Sequence, residues 1–296
     1  MAIRHLVRAC LWSAAGRSGA APAASRLLHR PTKLRVLMYH DVPKNLLLIF
    51  ESHLEWLLKN FEFIKPSDLL NQPSAGNRPK LLLTFDDGCL DNYELVAPLL
   101  ESRGVRGLFF VCPGFGGLDR QASFTLMDRS SVLLREKTRD SRWQRLSREQ
   151  IVDLDQRGHG IGSHTMTHTP LAKIDEPHAL REVEHSAETL ASWLRHPCHF
   201  FAWTYSWDGI TSASLASAMH HHEFCFSPCC GLNRWPVRER LLWRTGVDVS
   251  KPVSHLQTQL SGLVDFAYRH QRQSLRSLSK SAIEGSATFS KIFIPQ

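Results

Sequence analysis

No aspartate or glutamate occurs before Asp41, although the same stretch carries Arg4, Arg8, Arg17, Arg26, Arg30, Lys33 and Arg35. Those bases hold nearly all of the formal net charge of +8, so the rest of the chain is close to neutral and gives no charge-based ground for a nucleic-acid surface. Long apolar runs are missing as well. No segment reaches the length that spans a bilayer, and Arg4, Arg8 and Arg17 interrupt the uninterrupted apolar core that a secretory signal needs. Residues 1–33 therefore read as a basic leader, disordered or forming a peripheral helix on an anionic membrane face; an acid-free, arginine-rich composition also fits a mitochondrial-type leader. The expected localisation is cytoplasmic, with the membrane periphery reached through that leader.

A C-x-x-C pair is absent too, and the cysteines number seven, an odd count that describes no disulfide framework and suits a reducing compartment. Cys225, Cys229 and Cys230 follow His220, His221 and His222, but two adjacent thiols are poorly spaced for tetrahedral zinc, and buried or idle thiols are the preferred reading.

What is present is an alternation of short apolar runs and helical patterns along 296 residues, enough for one α/β domain with attached ends. Strands are expected near 34–39, 80–85, 105–111, 159–163, 199–203, 223–227 and 241–247. Helices are expected over 50–61, from Asn92 with Asp91 as its cap, from Ser147 with Glu149 and Gln150, from Asp175 with Pro177 in the first turn, from about 211, and near 253–273. Residues 113–143 read as a surface excursion. This order predicts a mostly parallel sheet covered by helices, closed as a barrel or open and doubly wound. The expected division is 1–33 leader, 34–275 α/β domain and 276–296 loose tail.

The run LLLTFDDG ends a buried strand in two adjacent carboxylates, Asp86 and Asp87. Each makes the other harder to ionise and harder to bury, so a nearby positive charge is required. A divalent cation would serve: one carboxylate binds it and the other stays ionised and able to take a proton. His164 and His168 offer two imidazoles, and one carboxylate with two histidines leaves a coordination position open, as catalytic zinc sites do. The spacing H-x-x-x-H is weak evidence in a histidine-rich chain, where about one such pair arises by chance. TFDDG is far more specific. A zinc peptidase is disfavoured, because Thr165 stands where H-E-x-x-H has its glutamate.

TFDDG at 84–88 and SHTMTH at 163–168 resemble the first two motifs of the polysaccharide deacetylases, the NodB-like carbohydrate esterases. VLMYHDV at 36–42, HFFAWTYSWDG at 199–209, GLNR at 231–234 and RTGVD at 244–248 fall in that family's order, so the resemblance covers about residues 34–270. It implies a distorted (β/α)7-type barrel and metal-dependent removal of N-acetyl groups from the sugars of a polysaccharide or its precursor. By the same resemblance Asp87, His164 and His168 bind the metal, Zn2+ by default with Co2+ or Ni2+ also suited. Asp86 is the general base, the backbone N–H of Tyr205 serves the oxyanion, and Arg244 with Asp248 orients the carboxylates. Trp203 is a candidate sugar platform.

Two departures stand out. Thr204 and Ser206 replace the proline and glycine that flank the aromatic residue of the third motif, and no convincing fifth motif of the Leu-x-x-His kind supplies a general acid, which leaves His40, His255 and His270 as candidates. The second expectation is therefore a catalytically impaired member of the same fold that binds glycan or serves an assembly. A membrane scaffold would explain the leader alone. Metal content and acetate release separate the three.

Overall fold

The computed structural model describes residues 30–73, 76–116, 118 and 144–292. The leader up to residue 29 and most of the 113–143 excursion lie outside them.

The described strands are β1 (Lys33–Tyr39), β2 (Glu62–Phe63), β3 (Lys80–Phe85), β4 (Leu108–Val111), β5 (Gly160–Ser163), β6 (Phe200–Ala202), β7 (Phe224–Ser227), β8 (Asn233–Arg234), β9 (Leu241–Trp243) and β10 (Thr245–Gly246). The main path runs β10-β1-β3-β4-β5-β6-β7-β9, and each neighbouring pair along it is parallel. Its two edges, β9 and β10, are separated in the chain by Arg244 alone. The sheet thus curls back on itself and is nearly closed, with β9 and β10 forming one interrupted stave beside six others. Short β8 runs antiparallel to the start of β1, pairing Arg234 with Lys33.

Side chains alternate across a strand, and the buried clusters follow that parity. Leu34, Val36, Leu82, Leu108, Phe110, Phe200, Ala202, Phe224, Phe226 and Leu242 form one cluster, the filling of the barrel. The intervening residues, among them Leu37, Tyr39, Leu81, Leu83, Phe85 and Phe109, pack outward in a second cluster, and Phe201, Trp203, Cys225, Leu241 and Trp243 do so in a third. Phe110 fills the space beside β5, where a Cβ on Gly162 would lie 2.5 Å from its ring. Extending the inward parity past each strand end reaches Asp86 after Thr84, His164 after Gly162 and Arg244 after Leu242. The same alternation therefore packs the barrel and points three polar side chains into its mouth.

The covering helices are α1 (Leu47–Asn60), α2 (Asp68–Asn71), α3 (Ala97–Ser102), α4 (Arg148–Gln156), α5 (Glu176–Leu194), α6 (Ser212–His221), α7 (Val253–Leu260), α8 (Leu263–Ala267) and α9 (Arg269–Ile292). The expected caps at α4 and α5 are present: Ser147 and Gln150 form a reciprocal capping box, and Asp175 accepts from the His178 amide. Among the described residues no helix is long and apolar enough to cross a membrane.

Three expectations differ from the structure. The segment at Asn92 opens with a π-helical turn, Asn92–Val96, and Asp91 is no cap; its carboxylate reaches across to accept from the Val42 amide at 3.0 Å. The helix expected near 253–273 is broken, with Gly262 in the left-handed region at φ 87° between α7 and α8. The tail expected to be loose from Ser277 continues as α9, whose Leu275, Leu278 and Ala282 pack into the cluster that α5 and α6 share. Their spacing of three and four residues is a helical stripe that the surrounding serines obscure.

Candidate metal centre

A strand that continued past Phe85 would send Asp86 into the barrel and Asp87 away from it. Asp87 instead adopts φ 74°, a left-handed conformation that aspartate tolerates better than most residues, and its carboxylate turns back toward the barrel mouth. Thr165 (φ 65°), His168 (φ 59°) and Tyr205 (φ 61°) share this conformation. Four of the six described non-glycine residues with positive φ therefore surround one site, the clustering expected where packing holds functional side chains in costly backbone states.

The Asp87, His164 and His168 ligand atoms lie within 4.8 Å of one another, and this is the grouping of such side chains found among the described residues. Asp87 Oδ1 is 3.0 Å from His168 Nε2 and 3.5 Å from His164 Nε2, yet neither contact has hydrogen-bond geometry, and this buried oxygen has no donor. His164 Nδ1 lies 2.8 Å from the Ala202 carbonyl, which can only accept. Nδ1 must then carry the proton, and in the neutral ring Nε2 presents a lone pair toward a carboxylate. Two acceptors facing each other repel, and a divalent cation between them would relieve that repulsion. The carbonyl behind His164 is also the kind of outer support that fixes a metal-binding imidazole. Burial opposes ionisation of Asp87, but the attraction of His168 holds its carboxyl well below the usual range; burial, acting against the attraction of Asp87, lowers His168. Carboxylate and neutral imidazole are the states in which these groups ligate metal, so the residues present fit a divalent ion.

Asp86 is held separately. Its amide donates to the Tyr39 carbonyl at 2.9 Å, and Oδ1 accepts from Arg244 Nη1 at 2.6 Å. Arg244 is fully buried at the seam between β9 and β10; it also donates to Thr84 Oγ1 at 3.3 Å and stacks 5.2 Å from the Phe110 ring centre. The other oxygen, Oδ2, is 3.9 Å from His164 Nε2. One carboxylate of the pair is thus neutralised by a guanidinium, and the other faces two imidazoles.

A family model described as polysaccharide deacetylase matches residues 74–222, just over half of the chain. This chain belongs to the polysaccharide deacetylase family. YxkH of Bacillus subtilis (strain 168), named as a polysaccharide deacetylase, is 28% identical over 151 residues, which are 48% of this chain and 46% of that protein. The match thus spans less than half the length of that curated relative. Among solved structures, the de-N-acetylase of Aggregatibacter actinomycetemcomitans is similar with a TM-score of 0.60 at 14% identity, covering 77% of this chain and 99% of that one. IcaB from Ammonifex degensii gives 0.57 at 20% identity over 79% and 97%, and Streptococcus pyogenes deacetylase PplD, solved with acetate, gives 0.57 at 18% over 77% and 98%. At such identities the likeness establishes the fold, that of the NodB-like (β/α) barrels.

In this member of the family not every residue singled out in the sequence reaches the site. Tyr205 does: its ring meets that of His168 edge-on, with centroids 4.8 Å apart, and it stays partly exposed at the mouth. Its loop is tied to the one after β5 by Thr204 Oγ1, which donates to the Thr169 carbonyl at 3.4 Å. Trp203 does not. Strand parity turns it outward, and it is 2% exposed among Phe201, Leu171, Ile210 and Leu215, so it packs the core rather than offering a sugar platform. Asp248 also stays away, exposed past the end of β10, where its carboxylate accepts from the Ser250 amide and hydroxyl. Of the three candidate acids, His40 stands exposed at the end of β1 and is felt electrostatically by Asp87, whereas His255 lies on α7 near Asp248 and His270 on α9 beside Arg269.

The structure adds residues that had no sequence signal. Glu182, on α5, accepts from the Thr167 amide and hydroxyl, both at 2.8 Å, and its backbone carbonyl accepts from Met166 at 3.0 Å. On the other side of this loop the Gly114 amide donates to the Met166 carbonyl at 2.9 Å, an approach so close that a Cβ there would lie 2.5 Å from that oxygen. The segment between His164 and His168 is clamped from both sides. Glu182→Ala is accordingly expected to weaken binding of a divalent ion about tenfold or more while Glu182→Gln loses less, measured by competition with a chromophoric chelator. Arg145 bridges to Cys89 through the backbone, donates to its Sγ at 2.7 Å and closes the turn after Gly88. Asp91, which pins the loop after His40, has its pKa pushed up to about 7 by burial and by Asp41.

Proposed function

We propose that this polysaccharide deacetylase is a metal-dependent hydrolase that removes N-acetyl groups from the sugars of a polysaccharide or its precursor. The observation that carries this reading is the convergence of Asp87, His164 and His168 around one point beside Asp86, an independently neutralised carboxylate. Asp87, His164 and His168 would hold the ion, Zn2+ first, with Co2+ or Ni2+ suited to the same ligand types. When bound, such an ion supplies Lewis acidity toward water and toward an acetamido carbonyl.

The chain's own residues do the rest. Asp86 Oδ2, opposite the oxygen that Arg244 engages, accepts a proton from the attacking water. The Tyr205 amide, in a loop turned by its positive φ, donates to the oxyanion. His40, exposed at the end of β1, protonates the departing amine. A groove of about 320 Å³ lined by Met166, Thr169, Ile174 and His178 opens beside the His168 loop and gives room for sugars next to the one that reacts.

The test is acetate release from N-acetylglucosamine oligomers. Chelator-treated protein is expected to lose at least about 100-fold in rate and to recover with added zinc, cobalt or nickel. Full activity of protein shown to be metal-free would overturn the reading. A second reading, a glycan-binding or assembly subunit without turnover, draws support from Thr204 in the third motif; it predicts glycan binding with no acetate released under any of the three metals.

A further inference from the structure

The end of the barrel opposite the metal centre carries a basic pocket that the deacetylase chemistry does not use. Arg234 on β8, Arg238 on the segment leading into β9 and Arg276 on α9 line a cavity of about 90 Å³, floored by Val237 and Leu242. That is room for roughly three waters or one tetrahedral oxyanion, and too little for a sugar chain. One carboxylate, Glu239, shares the cavity, and it is engaged with Arg276, Nη2 to Oε2 at 3.7 Å. Arg276 is further oriented by the Trp243 ring, 5.5 Å from its guanidinium carbon. The guanidinium groups of Arg234 and Arg238 make no ion pair or hydrogen bond among the described residues. Three guanidinium groups from three separate elements therefore face one small cavity with a single carboxylate to balance them, an arrangement matched to phosphate oxygens.

A second observation comes from chain direction. β8 pairs with the first residues of β1, Arg234 opposite Lys33, so the acid-free basic stretch that precedes β1 joins the barrel beside this pocket. The strands then run away from it, and Asp86, His164 and Arg244 lie at or beyond their far ends. Lys33, Arg234, Arg238 and Arg276 thus put basic side chains at this end of the barrel, the kind of group that meets an anionic lipid surface.

We propose that the Arg234–Arg238–Arg276 pocket binds the phosphate of an anionic lipid headgroup and seats the barrel on a membrane face, with the mouth of the metal centre turned away from it. The test is partition of the full chain onto phosphatidylglycerol vesicles, compared with the double variant Arg234→Gln/Arg238→Gln. A charge-matched control, Lys173→Gln/Lys251→Gln, removes two exposed lysines from loops after β5 and β10, at the other end of the barrel. All four side chains are exposed, so unchanged thermal midpoints are expected in both variants. The pocket variant should lose about tenfold in partition coefficient and the control less than about twofold. Equal partition of wild type and pocket variant overturns the proposal, and so does an equal loss in the control, which would show a response to total charge alone. Inorganic phosphate supplies the last arm. If millimolar phosphate raises the thermal midpoint of wild type but not of the pocket variant while vesicle binding is the same for both, the pocket serves a soluble phosphate and the lipid assignment is overturned.

Discussion

Asp86→Asn should leave the divalent ion bound and reduce acetate release by about 10²- to 10⁴-fold, the range that removal of a general base produces. The separation of the two effects follows from geometry. Asp86 is bound through Arg244 and the Tyr39 carbonyl, whereas the grouping that fits a metal consists of Asp87, His164 and His168. An asparagine keeps the size of the carboxylate and one acceptor for Arg244, but it cannot take a proton. His164→Ala is expected to behave differently, losing metal and activity together, because it removes both a ligand and the ring that the Ala202 carbonyl orients. Metal content by elemental analysis and acetate release on the same samples distinguish the two. Equal activity of wild type and Asp86→Asn would reject Asp86 as the base, and loss of metal from Asp86→Asn would move it into the ligand set.

The two motifs that define this site are legible because each combines a strand end with residue types that only a cation reconciles. Strand parity makes more of it legible: counting by twos from Leu82, Gly160 and Leu242 leads to Asp86, His164 and Arg244 and predicts their shared direction. The same count places Trp203 outside the barrel, since Phe200 and Ala202 face inward. Its selection as a sugar platform followed its aromatic character rather than its register. Asp87 lies beyond what parity can give, because its direction depends on a left-handed turn that the surrounding contacts impose. Glu182 resembles any charged residue on an amphipathic helix until the loop it clamps is in place. Asp91 looks like a helix cap, and only the packing of the loop after β1 shows that its acceptor serves Val42. Arg244 and Asp248 share one short sequence motif, although one residue sits in the barrel seam and the other past the end of a strand, so their closeness in sequence is not matched by a shared site.

Arg244→Met is expected to have the second large effect, and on stability as well as turnover. The pair Arg244–Asp86 is almost wholly buried, with side-chain exposures of 0% and 3%. Removing the guanidinium leaves a buried carboxylate that has lost its cation, at a cost of about 3–5 kcal/mol. The seam adds to this, since Arg244 is the residue through which the chain passes from one edge of the sheet to the other. Restoring charge balance should recover part of the loss: the double variant Arg244→Met/Asp86→Asn no longer holds a carboxylate at position 86 without its cation, so its stability should exceed that of Arg244→Met even though it carries one more substitution. Urea titration of the four proteins gives the coupling directly. A strictly additive result would mean that Asp86 relies on some other positive charge, and the separate neutralisation of the two adjacent carboxylates would have to be abandoned. Turnover supplies an independent check, because Arg244→Met retains Asp87, His164 and His168 and should keep its metal while Asp86 loses the contact that orients it.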